Sequence, residues 1–555
     1  MQFSSKILSQ TVTQLCLDKG VDHIVISPGS RNAALTIGFT GNPTFTNFSI
    51  VDERCAAFFA LGLAQQLQKP VALVCTSGSA LLNYYPAIAE AYYSDIPLVV
   101  LSADRPAHLI EIGDGQTIKQ ANVYANHILY SGVCQEGEAY QAHNEQQINT
   151  ALSVAINQRG PVHLNLPFSE PLYDIVTKAS VFLENNPTVV PKHNDNQELI
   201  SEIAKHWNAS SKKMIVTGVL APHTLDTDTI TQLAEDQSIV VLTETTSNVH
   251  HSNFFPAIDQ LIAPLEATDF EALQPEVLIT FGGMIVSKKI KKFLRNYAPK
   301  VHYHIDSKKA YDTFFCLTKH VPSAPHSFFK AFLPHTNKSS SAYKQQWLAI
   351  KNKRLERHDL YVAEIPYSDF WVFAEVFKAL PNTIHLQLSN STTIRYAQLF
   401  EMNATHTIFC NRGTSGIDGS TTTAIGAAFA SKAPTVFITG DLSFFYDSNA
   451  LWNNYIPSTF KIIIINNSGG GIFRILPGAK EVAGFSTFFE TKHQLTARQL
   501  SDMHGFEYAR ADDAVSVKTQ LYRFFKNTNA PQVLEICTPS EINDTTLLAY
   551  FDYIK

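Results

Sequence analysis

Several features that would assign this sequence to a class at once are absent. No run of 18 apolar residues occurs, so we expect no transmembrane helix and no integral membrane contact. The seven cysteines are scattered without a Cys-x-x-Cys pair, which disfavours a disulfide framework or a zinc site and fits a reducing compartment. The first residues lack the apolar core and cleavage site of a secretory signal. Together these absences predict a cytoplasmic protein.

An excess of positive charge is absent as well. Lys and Arg number 43 against 49 Asp and Glu, and the formal net charge is −6. This balance favours neither a nucleic acid nor an anionic membrane surface as a partner. No Gly-x-Gly-x-x-Gly occurs at a strand-to-helix turn, which disfavours a dinucleotide-binding Rossmann domain. The remaining expectation is a globular protein that acts on small molecules.

The chain has 555 residues, 45% of them hydrophobic, enough for about three domains. Short β-branched runs alternate with helical patterns, which predicts an α/β fold with parallel sheets. The predicted strands are apolar on both faces, as buried parallel strands are. They are His23–Ser27, Val71–Thr76, Pro97–Ser102, Val162–Leu166, Met214–Gly218, Ile239–Thr243, Val277–Phe281, His302–Ile305, Thr383–Gln387, Thr407–Cys410, Thr435–Thr439, Lys461–Ile465 and Gln532–Ile536.

Two polar, turn-rich stretches separate these strands into three groups. The first is Asn185–Asn196 and the second is His335–Ser341, which contains three consecutive serines. We therefore predict three consecutive α/β domains, at residues 1–184, 197–334 and 345–555.

Oxygen ligands for a divalent cation follow two predicted strands of the third domain. Gly440-Asp441 ends one strand, and Asn466-Asn467 with a Gly-rich turn ends the next, about one βαβ unit later. Mg²⁺ takes few protein oxygens and completes its octahedron with phosphate oxygens and water. The pattern therefore predicts a Mg²⁺–diphosphate site, although each sequence taken alone is also an ordinary turn.

Charged and hydroxyl side chains follow other predicted strands, where open α/β sheets bind their ligands. Each segment alone could be a turn or a helix cap. Together they place a glutamate, several arginines and small hydroxyl residues at strand ends in two domains, a density that capping does not explain. The segments are Ser27-Pro28-Gly29-Ser30-Arg31, Asp52-Glu53-Arg54, Thr76-Ser77-Gly78-Ser79, Ala103-Asp104-Arg105-Pro106, Gly113-Asp114-Gly115-Gln116, Asn390-Ser391 with Arg395, and Asn411-Arg412-Gly413-Thr414-Ser415-Gly416-Ile417-Asp418-Gly419.

In this order and spacing, these segments and the later Gly440-Asp441-Leu442-Ser443 and Asn466-Asn467-Ser468-Gly469-Gly470-Gly471-Ile472-Phe473 resemble a known family. The chain is similar to the thiamine-diphosphate (ThDP) enzymes and, among them, to the 2-succinyl-5-enolpyruvyl-6-hydroxy-3-cyclohexene-1-carboxylate (SEPHCHC) synthase family of menaquinone biosynthesis. The resemblance implies the three-domain, pyruvate-decarboxylase-like architecture. The N-terminal domain would bind the aminopyrimidine and the C-terminal domain the diphosphate.

The resemblance also implies the chemistry and its partners. The cofactors would be ThDP with Mg²⁺ (or Mn²⁺), and the substrates 2-oxoglutarate and isochorismate. The reaction would be a decarboxylation followed by 1,4-addition to isochorismate. The enzyme would be a homodimer or a dimer of dimers, with the two halves of each site on different subunits.

Residue roles follow from the same resemblance, position by position. The implied catalytic residues are Glu53, Arg395 and Arg412. Cofactor binding would fall to Glu53, Ser391, Ile417, Gly440, Asp441, Ser443 and Asn467, and metal binding to Asp441, Asn467 and the Gly469 carbonyl. The implied substrate-binding residues are Ser30, Arg31, Arg105, Gln116, Lys288, Lys289, Ser391, Arg395, Arg412, Ile472, Phe473 and Leu476.

Three other functions stay open at this point. The first is another ThDP-dependent 2-oxo acid decarboxylase or carboligase, whose site would need fewer arginines. The second is a non-catalytic ThDP-fold binding protein, which Glu53 and Asp441 disfavour. The third is a nucleotide-dependent oxidoreductase on Rossmann domains, which lacks its glycine pattern here.

Overall fold

A computed structural model of the chain describes residues 2–183, 197–476, 478–526 and 529–555. It contains two six-stranded sheets and one five-stranded sheet, all parallel, and a small antiparallel ribbon. The predicted α/β class with three parallel sheets is confirmed. The first predicted linker, 185–196, lies outside the described residues, and the exact domain boundaries stay a prediction.

The N-terminal sheet has the strand order β3-β2-β4-β5-β7-β6. Its central strands β4 and β5 are buried along their whole length, because helices cover both faces of the sheet. The strands are β1 (Phe3–Ser4), β2 (His23–Ile26), β3 (Thr46–Ser49), β4 (Val71–Cys75), β5 (Leu98–Asp104), β6 (Tyr130–Val133), β7 (Val162–Pro167) and β8 (Ile175–Val176), of which β1 and β8 form the ribbon. The helices are α1 (Ile7–Asp18), α2 (Ala33–Thr40), α3 (Glu53–Leu67), α4 (Ala80–Asn83), α5 (Tyr85–Ser94) and α6 (Gln141–Gln158).

The middle sheet has the order β10-β9-β11-β12-β13. Its strands are β9 (Lys213–Thr217), β10 (Ile239–Thr243), β11 (Val277–Phe281), β12 (Val301–Ile305) and β13 (Lys319–Val321). Its helices are α7 (Gln197–Asn208), α8 (Thr227–Glu235), α9 (Ile258–Ile262), α10 (Ala267–Leu273), α11 (Lys288–Asn296) and α12 (Pro325–Phe332).

The C-terminal sheet has the order β15-β14-β16-β17-β19-β18, the same winding as the N-terminal sheet. Its strands are β14 (His385–Leu388), β15 (Thr407–Cys410), β16 (Thr435–Gly440), β17 (Lys461–Asn466), β18 (Glu507–Ala511) and β19 (Gln532–Cys537). The helices that follow the middle domain are α13 (Tyr343–Glu364), α14 (Asp369–Ala379), α15 (Thr392–Ala397), α16 (Ser420–Ser431), α17 (Asp441–Tyr446), α18 (Phe485–Phe488), α19 (Arg498–Met503), α20 (Ala514–Lys526) and α21 (Asn543–Tyr553).

Helix α13 runs across the predicted start of the third domain. Tyr343 and Trp347, in its first turns, belong to the apolar core of the middle domain. Further along, His358 Nδ1 lies 2.8 Å from the Tyr550 hydroxyl of α21. The helix therefore ties the middle domain to the C-terminal one.

The N-terminal and C-terminal domains share one apolar core, built around α3 and α16. The two helices meet at two glycines. A Cβ on Gly62 of α3 would lie 2.1 Å from the Thr423 carbonyl oxygen, and a Cβ on Gly426 of α16 would lie 2.2 Å from the Phe59 carbonyl oxygen. This backbone-to-backbone contact fixes the beginning of α3, where Glu53 lies, relative to the C-terminal sheet.

Every strand predicted from the sequence is present. The structure adds strands that the sequence pattern missed, namely the ribbon β1–β8 and the edge strands β3, β6, β13 and β18. In the described part of the chain, no helix combines the length and apolar character that a membrane crossing requires.

Candidate active site

One cavity at the carboxyl ends of the C-terminal strands collects most of the predicted cofactor residues. This is the edge at which parallel α/β sheets bind ligands. The predicted residues that line it are Ser391, Ile417, Gly440, Asp441, Ser443, Asn467, Gly469, Ile472 and Phe473. They come from the loops after β14, β15, β16 and β17, so the chain folds four separate segments into one site.

The cation ligands predicted from the sequence lie side by side in this cavity. Asp441 is buried, and its Oδ2 accepts a hydrogen bond of 2.9 Å from the Gly469 amide. Asn467 donates from Nδ2 to Asp369 Oδ2 at 2.8 Å, which fixes the side chain and leaves its Oδ1 buried without a partner among the described residues. A buried acceptor without a partner is costly. A Mg²⁺ ion bound beside Asp441 would satisfy it, so the donor set fits the predicted metal.

Asp369 and His493 contact these ligands, and sequence reasoning missed both. Asp369 lies at the start of α14, fully buried, and burial beside Asp441 raises its pKa to about 6. His493 Nε2 lies 3.1 Å from Asp441 Oδ2. Neither residue directly follows a strand of the sheet, and the sequence prediction considered only residues at strand ends.

The loops around the cavity are held in an unusual conformation. Ser391, the residue before α15, has φ 65° and ψ −123°, a backbone region that is normally confined to glycine. Ser443 donates from Oγ to the Ile417 carbonyl at 2.7 Å, which fixes the predicted apolar support of the cofactor. Strain of this kind persists only where the surroundings enforce it, as they do at functional sites.

Arg395 and Arg412 lie close to each other beside the cavity. Arg412 donates from Nη1 to Asn390 Oδ1 at 2.6 Å, and Asn390 itself lines the cavity. Burial lowers the pKa of Arg395, and the neighbouring Arg412 lowers it further. The Nε atoms of both arginines are buried without a partner in the part of the chain that the structure describes. Two such guanidinium groups can bind an anion.

Glu53 begins α3 in the N-terminal domain. Asp52 caps this helix by accepting from the amides of Arg54 and Cys55. Burial raises the pKa of Glu53, and the negative charge of Asp52 adds to the effect. A carboxyl group with a raised pKa is suited to share a proton with a ring nitrogen.

The remaining predicted N-terminal residues also lie at strand ends. Arg105 donates from Nη1 to the Gln116 carbonyl at 3.0 Å and to Ser77 Oγ, and its Nε lies 3.6 Å from Asp114 Oδ2. Arg31 donates from Nη1 to the Phe168 carbonyl at 2.8 Å. Ser30, beside Arg31, and Gln116 are exposed. Arg31 Nη1 also lies 3.3 Å from Glu170 Oε1, and the charges of both arginines act on the buried Asp104.

Comparisons with known proteins agree with this geometry. Three family models match the chain in order. Residues 7–126 match "Thiamine pyrophosphate enzyme, N-terminal TPP binding domain", and residues 178–386 match "Middle domain of thiamine pyrophosphate". Residues 390–536 match "Thiamine pyrophosphate enzyme, C-terminal TPP binding domain". The chain is 54% identical to the SEPHCHC synthase of Christiangramia forsetii, with 100% of each chain covered. It is 55% identical to that of Flavobacterium psychrophilum, with 98% of each covered. The chain belongs to the SEPHCHC synthase family.

A solved structure supports the fold alone. Benzoylformate decarboxylase from Polynucleobacter necessarius superimposes with a TM-score of 0.74 at 15% identity, covering 96% of this chain and 99% of that one. The predicted decarboxylase-like, three-domain architecture is thereby confirmed.

Some substrate residues predicted for this SEPHCHC synthase family member do not line the cavity. Lys288 is exposed, and Lys289 Nζ lies 4.5 Å from the centre of the Phe551 ring. Lys291, one turn further along α11, is the lysine whose charge interacts with Arg412 and Glu244, and burial lowers its pKa. Leu476 is 46% exposed and does not line the cavity. The substrate roles of Lys288, Lys289 and Leu476 stay predictions.

Within the described residues, Glu53 makes no direct polar contact with the cavity. No hydrogen bond or ion pair in the described ranges joins Glu53 to a residue that lines the cavity. Its neighbours bind elsewhere: Arg54 donates to the Tyr446 carbonyl at 3.0 Å, and Asn449 donates to Asp52 Oδ2 at 2.7 Å. Glu53 therefore lies near the end of α17, whereas Asp441 begins that helix.

Proposed function

We propose that this chain catalyses the ThDP-dependent decarboxylation of 2-oxoglutarate and the 1,4-addition of the resulting succinyl unit to isochorismate. The products are 2-succinyl-5-enolpyruvyl-6-hydroxy-3-cyclohexene-1-carboxylate and CO₂. The observation that carries this proposal is the pair Arg395 and Arg412, with unpartnered buried Nε atoms next to the cofactor cavity. Both substrates are dianions, and a planar guanidinium binds a carboxylate with two parallel hydrogen bonds.

The cofactor would be held from both ends. Asp441, Asn467 and the Gly469 carbonyl would bind Mg²⁺ (or Mn²⁺) and with it the diphosphate. Ile417 and Ser443 would support the middle of the cofactor, and Glu53 would hold a proton at the pyrimidine ring. ThDP, when bound, supplies the electron sink for the carbanion chemistry, and the protein supplies orientation and electrostatics.

The substrates would lie between the two arginine groups. Arg395 and Arg412 belong to the C-terminal domain, and Arg31 and Arg105 to the N-terminal domain. Ser30, Gln116 and Ser391 would add neutral hydrogen bonds, while Ile472, Phe473 and Leu476 would exclude water. Lys288 and Lys289 would contribute positive charge from the middle domain.

We also propose a cytoplasmic homodimer or dimer of dimers, in which Glu53 of one subunit completes the cavity of the other. The absence of a hydrogen bond or ion pair between Glu53 and the cavity-lining residues of the described chain supports this arrangement.

A direct turnover assay tests the function. The purified protein, supplied with ThDP and Mg²⁺, is offered 2-oxoglutarate with and without isochorismate, and the product is identified by mass. We expect CO₂ release from 2-oxoglutarate and a succinylated product only when isochorismate is present. Pyruvate and benzoylformate in place of 2-oxoglutarate are the controls. Faster turnover of either control would replace this proposal with another ThDP-dependent decarboxylase or carboligase.

A further inference from the structure

A buried glutamate of the N-terminal domain binds the loop that carries Arg412. Glu90 lies on α5 and is 1% exposed. Its Oε1 accepts from the Gly413 amide at 2.7 Å, and its Oε2 accepts from the Thr414 amide at 2.6 Å and from Thr414 Oγ1 at 2.8 Å. Ser94 Oγ also donates to Oε1, at 2.8 Å. All four donors are neutral, and no lysine, arginine or histidine of the described ranges forms an ion pair with this carboxylate.

The same loop is bound from its other side by Asn390. Asn390 Nδ2 donates to the Asn411 carbonyl at 2.6 Å and to the Gly416 carbonyl at 2.7 Å, while its Oδ1 accepts from Arg412. Both neighbours of Arg412 are therefore fixed, Asn411 by the C-terminal domain and Gly413 by the N-terminal domain. We call residues 411–416 the Arg412 loop.

The loop backbone touches α5. A Cβ on Gly413 would lie 2.6 Å from the Glu90 carbonyl oxygen and 2.7 Å from Ser94 Oγ. Glycine is therefore required where the loop passes the helix. The loop has no regular secondary structure, so its shape depends on these contacts.

We propose that Glu90 is a positioning residue that holds the Arg412 guanidinium at the substrate site. The inference rests on the proposed function in one respect, namely that Arg412 binds a substrate carboxylate. Because Glu90 takes its hydrogen bonds from neutral donors, it orders the loop without drawing the guanidinium into an ion pair. Arg412 stays free to bind an anion, and the N-terminal domain sets its position.

Only a carboxylate fits this place. Each Oε atom accepts from two donors, whereas a glutamine would turn an NH₂ group toward one pair of them. Glu90→Gln keeps the size of the side chain, yet whichever way the amide turns, its NH₂ group faces a backbone N–H of Gly413 or Thr414, which can only donate. We expect the loop to rearrange and Arg412 to lose its position.

Kinetics of three variants separate positioning from a purely structural role. Hydrogen bonds to charged groups correspond to about 10–100-fold in affinity, so we expect Glu90→Gln to lower kcat/KM by about 10-fold or more. The loss should appear in the KM of the same substrate that Arg412→Ala affects most, with the affinity for ThDP unchanged. The double variant Glu90→Gln/Arg412→Ala should be no worse than Arg412→Ala alone, because Glu90 acts through Arg412. Fully additive losses would overturn the proposal.

The matched control is Ser94→Ala, which removes one hydrogen bond to Glu90 and none to the loop. We expect it to retain more of the wild-type kcat/KM than Glu90→Gln. If Glu90→Gln does not fold, Thr414→Val replaces it, since it removes the Oγ1 donor and keeps the loop amide. A Thr414→Val enzyme with unchanged KM values would then contradict the proposal.

Hydrogen exchange supplies a readout that does not depend on the reaction. We expect the Gly413 and Thr414 amides to exchange at least 10-fold faster in Glu90→Gln than in the wild type, with α16 and β15 unchanged. If the loop exchanges faster in Glu90→Gln but the wild type turns over neither proposed substrate, then the proposed function is wrong and the positioning contact is still supported. Unchanged exchange, with normal turnover by wild type, would overturn the role of Glu90 alone.

Discussion

The proton chemistry of Glu53 is the first residue-scale test. Glu53→Gln keeps the shape and a hydrogen bond to the pyrimidine ring but cannot exchange the proton. We expect it to retain the fold and much of the cofactor affinity, and to lose about 10²–10⁴-fold in activity, the usual contribution of a general acid–base group. Exchange of the C2 proton of bound ThDP, followed by NMR, measures the step directly. If the C2 proton of ThDP bound to Glu53→Gln exchanged at the wild-type rate, Glu53 would not be the residue that holds the proton at the pyrimidine ring.

Asp441 and Asn467 should differ in their importance for cofactor binding. Asp441→Ala removes the charged cation ligand, so we expect Mg²⁺-dependent ThDP binding to be lost. Asn467→Ala should be milder, since the lost ligand is neutral and water can replace it. Calorimetric titration of each variant with ThDP, with and without Mg²⁺, measures the difference. Wild-type affinity in Asp441→Ala would contradict the metal site.

Asp447 gives a pH dependence with a defined sign. It is fully buried, accepts hydrogen bonds from the Thr422 amide (2.8 Å) and hydroxyl, and its pKa is raised by burial to about 7. An aspartate in the unfolded chain titrates near 3.8. The folded state therefore holds the proton more tightly, and the free energy of unfolding falls as pH rises between about 4 and about 7.

The variant Asp447→Asn removes this titration. Its amide can still accept from the Thr422 amide and donate to the Thr422 hydroxyl. We expect the stability of wild type to decrease relative to Asp447→Asn from pH 5 to pH 8, by at most about 3 kcal/mol. Denaturant unfolding at several pH values is the measurement. Parallel pH profiles for the two proteins would show that Asp447 does not carry the effect.

At the scale of elements, the sequence predicted the apolar strands, including the edge strands β10 and β15, and missed four polar edge strands. β4, β5 and β9 are largely apolar and every residue in them is buried, so the pattern was clear. β3 (TNFS), β6 (YSGV), β13 (KHV) and β18 (EYARA) each lie at the edge of a sheet, are partly exposed and carry polar residues. Their pairing depends on a neighbouring strand that is distant in sequence, which no local pattern reveals.

The residues of the candidate site also fall into a group that the sequence predicts and a group that it does not. The residues directly after strands, such as Asp441, Asn467 and Arg412, could be predicted because the edge of a parallel sheet is where ligands bind. Asp369, His493 and Glu90 lie on other segments and reach the site only through tertiary packing. Nothing local distinguishes a buried glutamate on α5 from a surface one.

The contact between α3 and α16 supplies the element-scale prediction. Gly62→Ala and Gly426→Ala each place a Cβ about 2 Å from a backbone oxygen of the facing helix, so the helices must separate. Alanine is the better helix former by about 1 kcal/mol, but overpacking of a rigid contact costs about 1–3 kcal/mol. We expect lower melting temperatures and reduced activity, since α3 begins at Glu53.

Gly115→Ala is the matched control for these variants. A Cβ at Gly115 meets no heavy atom within 4 Å, and its backbone is not in the left-handed region. Its melting temperature should stay near that of the wild type. Equal melting temperatures for all four proteins would mean that α3 and α16 tolerate a wider spacing.

At the scale of the whole molecule, two sheets with the same strand order form the outer domains. Glu53 and Asp441 lie at the carboxyl edges of these two sheets, so each chain contains both the predicted pyrimidine-binding residue and the predicted metal ligand. The two domains pack through α3 and α16, and within the described residues Arg54, the neighbour of Glu53, binds the Tyr446 carbonyl at the end of α17. A second copy related by two-fold symmetry would supply the missing half to each cavity.

Subunit complementation tests this shared site. Inactive Glu53→Gln chains and inactive Asp441→Ala chains are mixed, gently unfolded and reassembled. In a mixed dimer one site collects both changes and the other is wild type. Because random pairing makes half of the dimers mixed, about a quarter of all sites should regain activity. Each variant reassembled alone is the control and should stay inactive. If mixed dimers form, as a tag on one variant would show, and no activity returns, then both residues belong to a site within one chain.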